Sequence, residues 1–442
     1  MKHTHHVYTL FIYLVCIYSS VIVCQQGPLR VMHQPIVNGK LKPGEFEFTG
    51  YIMHEAFWDS HQVNGSSEDT SLNFPDRQHY DARGFNINAK GQYVMVPIET
   101  NCRLEFGGPK IGDAKSHVAI EADFFGFTEF ITNLDFGSIL RMRLAFIHLS
   151  WKHSAILAGQ FWHPMYIPEC FADTISYNSG QPIDLYARVP QVRHTYVRGD
   201  RLEIILCAAT ELDCPSLGPI GASTTYIRNA LVPNLHMQIK TRIRNHFFGC
   251  GVDYKRLVPR LVTNKDVKTS TALNSFAILA YAAFNWNTFS MHTKLMYGGN
   301  LTDYGGLGGY AVHSVQPSTD IRTYTNLRNI SFWIDSAIKK YHTVEPGLFI
   351  GVDKNLGAPK TIIQNITDAN GIKENTIYSF GADIDILFRI SPRLRYVIKK
   401  FTIGLELEYT RASFGTITSD GTVTNAKPTS NTRLLLALYY DF

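Results

Sequence analysis

Residues 434–442 read Leu-Leu-Leu-Ala-Leu-Tyr-Tyr-Asp-Phe. In an extended strand successive side chains point to opposite faces, so Leu434, Leu436, Leu438, Tyr440 and Phe442 share one side. That side is apolar throughout and aromatic at its end, and it needs an apolar neighbour. The same period of two recurs upstream. Leu235, Met237, Ile239, Thr241 and Ile243 face away from His236, Gln238, Lys240, Arg242, Arg244 and His246. Ile120, Ala122 and Phe124 alternate with Glu121 and Asp123, and Leu140, Met142 and Leu144 with Arg141 and Arg143. Tyr378, Phe380, Ala382, Ile384, Ile386 and Phe388 alternate with Asp383 and Asp385, and Ile403, Leu405, Leu407 and Tyr409 with Glu406 and Glu408.

Clusters of Gly, Asn, Asp and Pro separate these segments, the pattern of an all-β chain. Many run to ten residues or more, whereas strands of soluble sheets have a mode of about 5–6. A tilted strand needs about 9–11 residues to cross a bilayer. The reading is therefore a transmembrane antiparallel β-barrel of roughly 16 strands between Glu45 and Phe442, apolar outside and charged inside. A barrel of that size keeps an aqueous lumen. After residue 24 there is no apolar run of about 18 residues, so spanning helices are not expected there. Ser60–Arg83, Thr210–Thr225, Val258–Ser270 and Ser413–Asn431 read as loops. The terminal strand resembles that of bacterial outer-membrane proteins. The resemblance implies that Tyr440 and Phe442 form the signal read by the barrel assembly machinery.

The first residues read as an export signal, with Lys2 and a histidine cluster, then an apolar stretch from Val7 to Val23. The expected organisation is a signal peptide at 1–24, a short periplasmic lead-in at 25–44 and a barrel at 45–442. An uncleaved helical anchor is the alternative reading of the apolar stretch. The expected location is the outer membrane of a Gram-negative-type envelope, with its lipid as a partner. A net charge of +5 over 442 residues, with no basic block, gives no support for nucleic-acid binding. Five of the seven cysteines lie beyond the export segment: Cys102, Cys170, Cys207, Cys214 and Cys250. No CxxC pair supports a zinc site. Cys207 and Cys214 either bridge a loop or act as small apolar residues.

Catalytic and cofactor signatures are missing: no HExxH, no phosphate loop, no GxSxG elbow, no EF-hand. No cofactor or metal is expected. His163, between Trp162 and Pro164, reads as a turn residue and not a ligand. Gly305-Gly306-Leu307-Gly308-Gly309 reads as a flexible turn or a point of close packing. Triplets at Asn64, Asn300, Asn329 and Asn365 would carry glycans only in a eukaryotic secretory route.

One region has a more specific identity. It runs through Cys102-Arg103-Leu104-Glu105-Phe106, Ile120-Glu121-Ala122-Asp123-Phe124-Phe125-Gly126 and Arg141-Met142-Arg143-Leu144-Ala145-Phe146. It continues with Leu157-Ala158-Gly159-Gln160-Phe161-Trp162-His163-Pro164 and ends near Arg188-Val189-Pro190-Gln191-Val192-Arg193. This order resembles the porin-like outer-membrane proteins of the DcaP type over about residues 100–200. The resemblance implies a trimeric 16-stranded pore for small, often anionic solutes. Two departures stand out. Cys102 replaces a small residue, and residues 25–44 are short for the helical extension of some members, which puts trimerisation through that element in doubt.

On this reading selection comes from charge in the lumen. The inward basic candidates are Arg141, Arg143, Arg193, Lys240, Arg242 and Arg244; the acidic ones are Glu121, Asp123, Asp383, Asp385, Glu406 and Glu408. A basic wall facing an acidic wall would set a transverse field favouring small polar or anionic solutes. Paired charges that merely solvate a wide lumen are the other reading. The segment from Trp162 to Phe171 constricts the pore, packs between subunits or forms a simple turn. The rivals to a porin are a plugged barrel acting as adhesin or structural surface protein, a barrel enzyme and a soluble sandwich. Conductance, lipase activity and solubility without detergent tell them apart.

Overall fold

The computed structural model describes residues 41–66, 69–97, 99–126, 139–199, 201–338, 343–367 and 373–442. The export segment at 1–24 and all but the last four residues of the lead-in lie outside them. Among the described residues, sixteen antiparallel strands close into one barrel. In chain order they are β1 (Phe46–Asp59), β2 (Gln92–Val96, continuing as Asn101–Gly107), β3 (Lys115–Gly126) and β4 (Ile139–Ser150). Next come β5 (Ser154–Trp162), β6 (Arg188–Arg198), β7 (Leu202–Ala209), β8 (Asn234–Ile243), β9 (His246–Leu257) and β10 (Leu273–Asn285). The last six are β11 (Phe289–Gly299), β12 (Arg322–Ile338), β13 (Val344–Asn355), β14 (Ile384–Ile398), β15 (Phe401–Ile417) and β16 (Val423–Asp441).

β1 closes the ring. One edge pairs with β16, from Tyr51↔Asp441 to Asp59↔Arg433, and the other takes both pieces of β2. Closure removes the open edge that would otherwise leave backbone groups unpaired in lipid. Short turns such as 151–153, 244–245 and 286–288 lie at the end holding Phe46 and Phe442, and the long connections lie at the other.

The outer face carries the apolar half of the alternation. Phe276 and Ile278 on β10 are 65% and 53% exposed, and Leu405, Leu407, Leu434 and Leu436 are also exposed. A continuous belt of large apolar side chains marks a lipid-facing surface. Aromatic residues flank it: Phe46, Phe48, Tyr440 and Phe442 at the short-turn rim, Trp58 tilted against Tyr93 at the other. Phe442 packs on Phe48 at 5.6 Å, and its N–H donates to the Gly50 carbonyl at 3.0 Å. A Cβ at Gly50 would lie 2.5 Å from the Phe442 ring, so only glycine allows this approach. The belt predicts that Ile278→Arg destabilises the barrel by about 2–4 kcal/mol, the cost of a midplane cation on the lipid face. Urea unfolding in lipid vesicles measures it; an unchanged midpoint would argue against a lipid-facing Ile278.

Three local readings need correction. A β-bulge at Arg143–Leu144 opposite Glu121 turns Leu144 inward, where it is fully buried with Phe146. A second bulge between Ile384 and Ile386 resets the phase of β14. Ile386 then faces out, Ile384 faces in, and Leu387, Arg389, Ser391, Arg393 and Arg395 line the interior. Finally, Ser413–Asn431 is not a loop: β15 and β16 stay paired out to Ile417↔Val423. Its Ser and Thr residues suit an extended hairpin with two wet faces. At the turn, the Thr418 and Thr422 hydroxyls donate to Asp420 and hold its carboxyl down at about 2. The one described α-helix, Thr225–Ala230, belongs to the β7–β8 connection. All five cysteines of the described residues are free thiols, so Cys207 and Cys214 do not bridge.

Candidate functional site

The interior is where chemistry other than lipid contact is possible. The connection from β5 to β6, residues 163–187, folds into it and is buried along most of its length. It starts on an aromatic base: Trp162 stacks on Tyr166 at 4.6 Å and meets Tyr186 edge-on at 5.6 Å. It then crosses the lumen to the far wall. Tyr439 of β16 donates to the Ile175 carbonyl at 2.9 Å, and Ile175 N–H donates to Glu406 of β15 at 2.5 Å. A Cβ at Gly404 would sit 2.9 Å from Ile175, so the wall is hollowed for this side chain.

Ion pairs fasten the crossing. Arg395 binds Asp173 through two nitrogens, at 2.6 and 2.9 Å. Arg389 donates to Ser176 Oγ at 2.7 Å and Asn178 Oδ1 at 2.9 Å while pairing with Glu406 and Glu408 at 3.0 Å each. Lys294 of β11 pairs with Asp184 and donates to the carbonyls of Met165 and Leu185, each at 3.2 Å. Two further connections fold inward. Phe74 from the β1–β2 connection and Leu301, Tyr304 and Leu307 from the β11–β12 connection join Met165, Ile183, Leu185, Trp333 and Phe349 in one apolar core inside the barrel. Gly306 in the glycine run packs against this loop, since a Cβ there would lie 2.6 Å from Leu185. The glycine run is thus a point of close packing.

The crossing leaves space on the short-turn side. A cavity of about 390 Å³ is lined by residues including His148, Arg193, Thr195, Glu203, Gln238 and Lys240 of the wall, and Tyr166 and Glu169 of the loop. A smaller one, about 110 Å³, lies beside Asp173, His292 and Asp335.

The sequence candidates divide into four groups. Glu121, Asp123, Arg141 and Arg143 meet in one inward network. Arg141 Nη2 reaches Asp123 Oδ2 at 2.7 Å, Arg143 Nε reaches Glu121 Oε1 at 2.7 Å, and both arginines donate to the Tyr177 hydroxyl of the loop. Arg193 and Lys240 line the larger cavity. Lys240 is held by Glu169 at 2.8 Å and Glu203 at 3.0 Å. Arg193 lies over the Phe161 ring and donates to Gln191 and the Trp162 carbonyl; among the described residues no ion pair to a carboxylate is found for it. Glu406 and Glu408 face inward as expected.

Four candidates lie elsewhere. Arg242 is exposed at the short-turn mouth over Phe247, and Arg244 occupies the β8–β9 turn with φ 57°. Asp383 pairs with Arg77 among the long connections, at 3.2 Å. Asp385 pairs with Lys354 at 2.6 Å, on the face of β13 that also carries Ile350. Sequence reading missed Arg389, Arg393 and Arg395 on β14, Asp335 on β12, and the Asp59–Arg433 pair, bidentate at 2.8 Å and fully buried. The alternation Leu387–Arg395 was visible, but only with the phase set by the bulge. Basic and acidic strands therefore alternate as neighbours in the wall.

No protein-family model matches the chain, and no curated protein matches it in sequence. The fold matches solved outer-membrane channels. The outer membrane channel DcaP of Acinetobacter baumannii superposes with a TM-score of 0.62 at 16% identity, over 91% of this chain and 99% of that one. An anion-selective porin from Comamonas acidovorans gives 0.52 at 9% identity, over 90% and 100%. OmpT of Vibrio cholerae, expressed in the outer membrane, gives 0.51 at 10% identity, over 91% and 99%. The chain therefore has the closed 16-stranded barrel fold of outer-membrane porins.

Proposed function

We propose that the protein is an outer-membrane porin that passes small polar solutes, with a preference for anions, through an eyelet formed by residues 163–187. The observation that carries this reading is the cavity on the short-turn side of the crossing loop, where Lys240 is paired with Glu169 and Glu203 while no ion pair to a carboxylate is found for Arg193 among the described residues. Most other inward cations sit beside carboxylates that cancel their field. Arg193 keeps its charge available, so it is the cation a passing anion would meet.

Export by the segment at 1–24, assembly by the barrel machinery and a homotrimeric state belong to the same reading. It rests on no catalytic chemistry. The neighbouring anion-selective porin supports the preference by analogy of fold only. Planar-bilayer recording tests the proposal: purified protein gives discrete conductance steps, with closure in three steps for a trimer. In a KCl gradient the reversal potential shows anion preference. Arg193→Gln lowers the anion-to-cation permeability ratio by about twofold or more. An unchanged ratio in Arg193→Gln would remove the assignment of selectivity.

A second reading, a non-conducting barrel serving as adhesin or structural surface protein, is favoured by the apolar core inside the lumen. Absence of any conductance from protein shown to be folded and inserted would select it.

A further inference from the structure

At the root of the crossing loop three potential ligands converge, none of them lining the cavity itself. His163 is the first residue after β5, His236 faces inward from β8, and Asp253 faces inward from β9; all three are buried. His236 Nδ1 lies 3.1 Å from Asp253 Oδ2, His163 Nε2 lies 3.5 Å from the same oxygen, and the ligand atoms all lie within 4.8 Å of one another. Ligands at about 2.0–2.2 Å from a tetrahedral zinc ion lie somewhat over 3 Å apart, which the two distances to Asp253 match, and the histidines would draw together around the ion.

The hydrogen bonds around the cluster make the case sharper. Gln238 Nε2 donates to the Tyr281 hydroxyl at 2.9 Å, which turns Gln238 Oε1 toward His236 Nε2 at 3.1 Å. With the amide in this orientation His236 Nε2 carries the proton, and the neutral ring aims its Nδ1 lone pair at a carboxylate oxygen. Two acceptors at that distance need a cation between them, either a second proton on the ring or a metal ion. A ligating imidazole that donates its other N–H to an oxygen is the usual arrangement around a bound metal. Asp253 Oδ1 is already taken, by Asn234 Nδ2 at 3.1 Å and Tyr304 Oη–H at 2.9 Å, which leaves Oδ2 facing the histidines. His163 Nε2 and Asn234 Oδ1 are buried with no well-formed hydrogen bond, although the two side chains interact.

We propose that His163, His236 and Asp253 bind one divalent transition-metal ion, Zn²⁺ by ligand type, with the Asn234 amide oxygen or a water completing the site. Two imidazoles and one carboxylate suit zinc and its first-row neighbours better than the hard cations. Loading asks His163 to place its ring proton on Nδ1, releasing the long 3.3 Å contact from Met165 N–H. The ion ties the first residue of the crossing loop to the wall. Through Tyr304 the second inward connection meets the same point.

The test uses the folded full chain in detergent, stripped with a chelator and titrated with Co²⁺. One equivalent per chain should give the strong visible absorption of a four-coordinate site, and excess Zn²⁺ should bleach it. His236→Gln and Asp253→Asn should each abolish that band; Asp253→Asn keeps the shape of the carboxylate. Weak octahedral absorption in the wild type, or a band that survives both substitutions, would overturn the site in favour of a protonated His236. The wild-type spectrum alone decides the matter if a variant does not fold. The measurement needs no conductance, so it stands or falls apart from the channel reading.

Discussion

Replacing residues 168–183 with a short Gly-Ser turn raises single-channel conductance several-fold and leaves the barrel folded. The loop occupies the middle of a ring that would otherwise hold a water-filled passage. Its removal strips partners from Arg389 and Arg395, yet both then face water and not a packed interior, so their desolvation cost falls as well. The wall keeps its own cross-strand pairs, Arg389 with Glu406 and Glu408, and Arg393 with Asp335 at 2.6 Å. Bilayer recordings supply the conductance, and gel mobility before and after heating shows whether the barrel still forms. Equal conductance in wild type and deletion would mean that solutes do not pass the loop at all.

Arg389→Met carries the largest expected cost of any single substitution in the lumen, about 3–5 kcal/mol. Its guanidinium holds two buried carboxylates and two loop side chains together. Without it Glu406 and Glu408 remain as neighbouring buried anions with no cation between them. Adding Glu406→Gln and Glu408→Gln in the same chain should recover most of the loss, because the penalty comes from uncompensated charge and not from lost attraction. Urea unfolding of the single and triple variants in vesicles measures both. A single variant as stable as wild type, or a triple variant no better than the single, would show that the cluster does not work this way.

Much of the barrel was legible because lipid demands a strict period. The outward faces of β8, β10, β15 and β16 could be read directly, and Leu434 to Phe442 gave the phase of the last strand without ambiguity. Two bulges hid the rest. One residue inserted near Leu144 or Asp385 reverses every later side chain on that strand, and nothing in a single strand announces it. Unbroken alternation therefore places Asp385 in the lumen and turns the arginines of β14 away from it, the reverse of what the bulge produces. The pairing of charges was hidden for a different reason. Like charges at alternate positions of one strand suggest a wall of one sign, but strand order brings β4 beside β3 and β14 beside β15, whose inward faces carry the opposite sign. His163 shows the same limit, since a turn residue in sequence stands in space beside His236 and Asp253.

The anchors of the crossing loop also set an order of events. Asp173, Ile175 and Ser176 meet partners 222, 231 and 213 residues further along the chain. Contacts so distant in sequence form late, after the intervening chain has been ordered. Those partners belong to β14 and β15, two of the last three strands of the chain. The aperture is therefore wide before it is narrow. Narrowing of the lumen is thereby tied to closure of the ring, because the strands that anchor the loop are neighbours of the one that seals the barrel against β1.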